Sequence, residues 1–334
     1  EEEAALEVPI VATVDNLLAY AISRNASDIH LEALEDAILV RFRIDGILYE
    51  ILRIPKEVLP AIVARIKLIA GLKIDEHRMP QDGRFRYKIV GEEMDIRVAV
   101  MPVFYGEKAV MRLLRATSKP MSLAELGLLD YTIKFIEENI KKTYGMLLVC
   151  GPTGSGKTTT LYATLKILNK PAVNIVSIED PIEYSVPYVN QTQVNTQAGI
   201  TFANGLRAFL RQDPNIIMVG EIRDVETAEI AVHSALTGHL VLSSLHTNDA
   251  PTAIPRLMDM KIVPFLVAAV LNVVVAQRLV RRICRSCLES FSPSKELIAA
   301  IEQQAEGLGV NGRVPKIFYR GKGWPACNQS GFSG

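Results

Sequence analysis

The sequence predicts an α/β chain of two domains, an α+β amino-terminal part followed by a mostly parallel sheet with helices on both faces. Three observations lead there. Residues 1–116 mix amphipathic helical spacing with alternating strand patterns joined by hairpin signals. From Met121 onward, short apolar runs alternate with helical ones, as in repeated βαβ units. Between one such run and the next helix stands Gly151-Pro152-Thr153-Gly154-Ser155-Gly156-Lys157-Thr158, the G-x-x-x-x-G-K-[S/T] pattern of a phosphate-binding loop.

The elements follow in order. Val8–Arg24 places Ile10, Val11, Val14, Leu17, Leu18, Ala21 and Ile22 at helical spacing. The alternating run Ile38–Ile44, the turn Asp45-Gly46 and the returning run Ile47–Leu52 form a hairpin signature. Pro60–Ala70 is amphipathic, with Pro60 suited to a first helical position. Gly83–Val90 and Glu93–Pro102 predict a second hairpin turning at Gly91, and Lys108–Leu114 a further strand. Thr117-Ser118-Lys119-Pro120 marks a linker, so the expected division is 1–116, a linker at 117–122, a core at 123–280 and a cysteine-containing region at 281–334. The core strands are expected at Gly145–Cys150, Asn174–Ile178, Ile216–Gly220 and His239–Leu245. Ile262–Ala276, the longest apolar stretch, is shorter than the roughly 20 residues of a spanning helix and is read as a buried helix.

With 334 residues the chain can bury two cores. Lys+Arg and Asp+Glu balance at 37 each, which argues against a basic nucleic-acid-binding domain. The acidic start carries no signal-peptide pattern, and the four cysteines read as reduced thiols or a metal site. A first residue other than Met and a turn-like last run, Ser330–Gly334, suggest a fragment with sequence missing at both ends.

The loop's glycines let successive backbone N–H groups curl around phosphate oxygens at a helix N-terminus. Lys157 would reach the β- and γ-phosphates of a nucleoside triphosphate, and the Thr158 hydroxyl, followed by Thr159, would ligate Mg²⁺. A carboxylate cluster, Glu179-Asp180-Pro181-Ile182-Glu183, ends the second core strand, where ligands bind in such sheets. Glu183 is the candidate for orienting attacking water. For Asp180, before Pro181 and three residues from Glu183, a helix start is the alternative. Ile216–Glu221 has the shape of a Walker B strand with Gly220 where Asp is usual, so metal contact falls to Glu221. His239 and His246 flank one strand. His246 is placed to sense a γ-phosphate and His239 to bond a neighbouring carboxylate, with packed core histidines as the alternative. Arg207, Arg211 and Arg223 fall in phase, surface ion pairs being their plainer reading.

Taken together, Gly151–Thr158, Ile178–Tyr184, Leu210–Pro214, Gly220–Asp224 and Thr237–His239 through Leu245–Thr247 resemble the Walker A, Asp box, Walker B and His box of secretion ATPases. Ala26–Glu32, Arg41–Gly46 and Pro80–Arg84 agree, so the resemblance spans nearly the whole chain and is closest to type IV pilus assembly and type II secretion ATPases. It implies a RecA-like core with a PAS-like amino-terminal domain and a ring hexamer hydrolysing ATP with Mg²⁺. ATP would sit at the domain interface, completed by arginines matching Arg84, Arg97 and Arg112. Partners would be an inner-membrane platform protein at the cytoplasmic membrane face, with no direct nucleic acid. Assembly-type members carry two Cys-x-x-Cys pairs that bind zinc. Here Cys284, Cys287 and Cys327 match, while Trp324 holds the remaining position and cannot ligate, which leaves two readings, three thiolates completed on zinc by another ligand or a vestigial loop held by packing around Trp324. Retraction-type members lack that region, which favours assembly over retraction. A DNA-transport or helicase-like motor, and a nucleotide-dependent scaffold without turnover, are the other classes such a core serves.

Overall fold

The computed structural model describes residues 9–89, 92–115, 121–307, 315, 317–327 and 329–332. The expected turn at Gly91 and linker residues 117–120 lie outside them. The chain divides into two compact units, one comprising Glu1–Thr117 with Val280–Gly334 and the other Ser118–Leu279.

In the first unit, α1 (Ile10–Ser23) buries Val14, Leu17, Leu18 and Ala21, one stripe at helical spacing. Then come β1 (Asp28–Ala33), β2 (Ala37–Ile44), β3 (Ile47–Pro55), α2 (Leu59–Ile69), β4 (Gln81–Ile89), β5 (Glu92–Val103) and β6 (Gly106–Arg115). They form one sheet in the order β3-β2-β1-β6-β5-β4, antiparallel throughout. Asp45 and Gly46 take φ of 48° and 81°, the left-handed pair that a tight β2–β3 hairpin needs. Along β2 buried and half-buried residues alternate, because one face of the sheet packs with both helices into a single core. β1 was not among the expected strands. Its alternation, with Ile29 and Leu31 inward and Asp28, His30 and Glu32 outward, is a strand signal interrupted by residues of low strand propensity.

The second unit contains α3 (Asp130–Asn139), β7 (Gly145–Cys150), α4 (Lys157–Leu168), β8 (Ile175–Glu179), β9 (Val189–Gln193), α5 (Phe202–Phe209), β10 (Ile216–Val219), α6 (Val225–Leu236), β11 (Leu240–Leu245), α7 (Ala253–Asp259), α8 (Pro264–Val270) and β12 (Leu271–Ala276). The sheet order is β12-β7-β11-β10-β8-β9, with every neighbouring pair parallel. β7, β8, β10 and β11 are buried along their whole length. Met146, Leu148 and Cys150 enter one core and Leu147 and Val149 the other, so both faces are covered.

One expectation is corrected here. Ile262–Ala276 is not one helix: α8 ends at Val270 and the chain runs on as β12, pairing with β7. Val273, Val274 and Val275 are β-branched and the edge of β7 offers unpaired backbone groups, so tertiary pairing decides a run whose composition suits either state. Among the described residues no helix is long and apolar enough to cross a membrane.

The carboxy-terminal part of the first unit holds β13 (Leu288–Phe291), α9 (Lys295–Gly307) and β14 (Phe318–Gly321), with β13 and β14 paired antiparallel.

Candidate functional site

β7 delivers the chain to the phosphate loop and α4 carries it away, beginning at Lys157. Gly151 has φ of 151°, and a Cβ there would collide with Ser155 Oγ and the Gln277 carbonyl. Gly156 caps α4 in the left-handed region, at φ 85°. Pro152, Thr153 and Gly154 are exposed at the loop's crest, and Thr158 and Thr159 are half-buried on the first turn. Ser155 Oγ is buried and has no hydrogen-bond partner among the described residues. An orphaned hydroxyl inside a ring of backbone N–H groups fits an anion that supplies the missing partner. Lys157 Nζ donates to the carbonyls of Gly151 (3.0 Å) and Pro152 (3.1 Å). Burial lowers its pKa, while the Glu221 carboxylate acts the other way, which places that carboxylate within electrostatic reach of the lysine.

No motif or spacing singles out Gln277. It follows β12, donates from Nε2 to the Ser155 carbonyl (2.6 Å) and accepts from Thr160 Oγ1 (2.8 Å). The residue just past this edge strand therefore ties down the loop.

Because the strands are parallel, their carboxyl ends line up on one side of the sheet. Across the order β7, β11, β10, β8, at about 4.8 Å per strand, stand the phosphate loop, His246, Glu221 and the Glu179–Glu183 segment. Glu221 is engaged on both oxygens, Oε1 with Arg223 Nη2 at 2.6 Å and Oε2 with His246 Nε2 at 2.9 Å. His246 thus takes the carboxylate-bonding place expected of His239. His239 itself is not brought to the loop. It precedes β11, at the opposite end of the sheet, about 20 Å away by strand rise, with Nδ1 2.9 Å from the Ser234 carbonyl.

Glu179 also departs from expectation. It is 2% exposed, and its carboxylate accepts from Tyr162 OH, from Ser177 Oγ (2.6 Å) and from Gln191 Nε2 (3.1 Å). Burial at the end of a fully covered strand turns this side chain inward, so it is a structural acceptor and not a nucleotide contact. Asp180 is exposed, joins Pro181 through a cis bond, and no helix begins there, which removes the capping alternative. Glu183 lies half-buried just beyond. Arg207 pairs with Glu226 at 2.5 Å on the surface, as its plainer reading had it.

In the first unit, Arg84, Arg97, Arg112, Asp28 and Arg43 stand opposite one another across β4, β5, β6, β1 and β2. They occupy the sheet face turned away from the helices. Arg84 Nε lies 2.5 Å from Asp95 Oδ1, and Arg112 Nε lies 3.0 Å from Asp28 Oδ1. Farther along, the Sγ atoms of Cys284, Cys287 and Cys327 all lie within 4.8 Å of one another. The Trp324 backbone N–H donates to Cys327 Sγ at 3.2 Å, while its indole is 58% exposed.

Comparison with known proteins places this geometry. The model of the family described as type II/IV secretion system protein matches residues 3–334. A type II secretion system protein E of Pseudomonas aeruginosa is 49% identical over 98% of the chain, which covers 64% of that relative. A type IV pilus assembly ATPase PilB of Myxococcus xanthus is 48% identical over 99% of the chain and 58% of the relative. The chain thus spans less than two thirds of the length of these relatives. Among solved structures, the pilus retraction motor PilT with bound ADP aligns with a TM-score of 0.63 at 32% identity, covering 81% of this chain and 79% of that one. The Legionella pneumophila ATPase DotB aligns at 0.65 and 26%, covering 81% and 77%.

Proposed function

The chain belongs to the type II/IV secretion system protein family, and from that premise we propose that it is the motor part of an ATPase driving pilus assembly or type II secretion. The observation that carries the reading is the convergence, along one edge of the parallel sheet, of the phosphate loop, the Glu221–His246–Arg223 group and the Glu183 segment. ATP is the substrate. The loop N–H groups, Ser155 Oγ and Lys157 Nζ bind its phosphates, and Lys157 exchanges its two carbonyl acceptors for phosphate oxygens. Thr158 and Glu221 are the residues to hold Mg²⁺, which when bound supplies charge neutralisation at the phosphates. Glu183 orients water for attack and takes its proton. His246 and Arg223 fix the Glu221 carboxylate.

The same premise gives a homo-hexamer at the inner face of the bacterial cytoplasmic membrane, docked to a platform protein of the machine. In the assembled ring Arg84 and Arg97 supply positive charge to the reacting phosphates. Zinc is assigned to Cys284, Cys287 and Cys327, whose three sulfurs are already gathered, with its fourth position filled from outside the cluster because Trp324 offers no ligand atom.

The test is ATP hydrolysis across a protein concentration series, with light scattering to report assembly, comparing the chain with Glu183→Gln. Turnover that rises with assembly and falls at least about 100-fold in the variant is expected. Equal turnover by monomer and by variant would refute the reading.

A further inference from the structure

We infer that Tyr162 is a positioning residue for Glu183: its phenol, on the phosphate-loop helix, fixes the backbone that carries the candidate catalytic carboxylate. The inference rests on the proposed role of Glu183 and adds to it a side chain that touches neither substrate nor reacting atoms.

Tyr162 lies in the second turn of α4, five residues beyond Lys157, and is 1% exposed. A phenol buried so deeply needs partners for one donor and two lone pairs. Its hydroxyl donates to Glu179 Oε2 and accepts from the Glu183 backbone N–H at 3.4 Å, with Gln191 Nε2, whose two N–H groups face Tyr184 and Glu179, at the same distance. Burial, then the Glu179 carboxylate, push the phenol pKa upward, so the donor proton stays in place. Gln191, on edge strand β9, continues the clamp. It donates to the Tyr184 carbonyl (3.2 Å) and to Glu179 (3.1 Å), and accepts from the Val186 N–H at 2.8 Å. The Tyr184 ring meets the Tyr162 ring edge-on, with centroids 4.5 Å apart.

Residues 183, 184 and 186 form no helix or strand, so no regular backbone pairing holds them. Hydrogen bonds to this buried group help to hold them, and Tyr162 within it is seated on the same helix as Lys157 and Thr158. A water-orienting carboxylate must keep its place to within a fraction of an ångström, and small misplacement costs large factors in rate without loss of binding. Two elements that must act on one phosphate are thereby indexed to each other through a buried group in which this hydroxyl is the link to α4.

The experiment measures steady-state ATP hydrolysis and nucleotide binding on the full chain for Tyr162→Phe, Glu183→Gln and the double variant. Tyr162→Phe is expected to lower kcat about 10- to 100-fold with KM within about twofold and the thermal midpoint lowered by a few degrees, because the buried Glu179 carboxylate loses a donor. In the Glu183→Gln background the same substitution is expected to cost nothing further, because the group it positions is gone. Wild-type kcat in Tyr162→Phe, or losses that multiply in the double variant, would overturn the inference while leaving the role of Glu183 standing. An unaffected Glu183→Gln would overturn both. Should Tyr162→Phe fold poorly, Gln191→Ala, at the half-buried sheet edge, carries the same test with the same kcat-against-KM split and the same silence beside Glu183→Gln.

Discussion

Two six-stranded sheets in one chain solve opposite problems, and their chemistry sits accordingly in different places. The parallel sheet of the second unit is covered on both faces, so β7 and β11 are buried at every residue and only their ends meet solvent. Function there is confined to the carboxyl edge, on loops and first turns. The antiparallel sheet of the first unit packs one face on α1 and α2. Its other face is left to Arg41, Arg43, Arg84, Arg97, Arg112 and Lys108, interleaved with Asp28, Glu32 and Asp95. Glu32 alone accepts from Arg41 Nη2 at 2.7 Å and Lys108 Nζ at 2.8 Å. A sheet covered once can display a field of charge along its strands; a sheet covered twice can offer only its rim.

The widest gap between the two should appear on introducing a charge mid-strand. Leu148→Glu, fully buried in β7, is expected to destabilise by about 4 kcal/mol or more in denaturant unfolding. Val110→Glu, on the open face between Lys108 and Arg112, should stay within about 1 kcal/mol of wild type. Similar losses at both positions would erase the distinction. At the rim, Lys157→Ala should cut kcat/KM about 1000-fold, close to 4 kcal/mol. Activity within tenfold of wild type would show that the loop is not where ATP is held. On the open face, Arg97→Ala should cost about 100-fold in turnover of the assembled protein yet leave nucleotide binding by isolated chains intact. A binding defect in isolated chains would move that arginine to a different role. The smallest effect is expected at the cysteines. Zinc released by a mercurial should approach about one per chain and vanish in Cys327→Ser, with a thermal midpoint only a few degrees lower. Zinc retained by that variant would rule out the three-sulfur assignment.

Legibility in the sequence followed the locality of the cause. The β2–β3 hairpin could be read because Asp45-Gly46 sets its own dihedrals, and Gly156 caps α4 for the same reason. β1 escaped because Asp28, His30 and Glu32 face a polar surface that only five neighbouring strands create. The run Ile262–Ala276 is split by the vacant edge of β7, and no property of the run itself marks Leu271 as the first residue of a strand. At the site, Lys157, Glu183 and Glu221 were identifiable as chemistry-bearing residues, whereas Gln277, Tyr162 and Gln191 were not. Their hydrogen bonds span 122, 17 and 12 residues of chain to Ser155 and Glu179.

The sequence by itself determined the phosphate loop, the strand–helix alternation around it and the set of ionisable groups available. Those depend on dihedral preference and burial periodicity, which act within a few residues. Only the tertiary structure decided which histidine met Glu221 and which carboxylate was consumed inside. His239 and His246 flank the same strand, and Glu179 and Glu183 share the same five-residue segment. Parallel register and the direction each side chain leaves its strand separate them, placing His246 beside Glu221 and Glu179 beneath Tyr162.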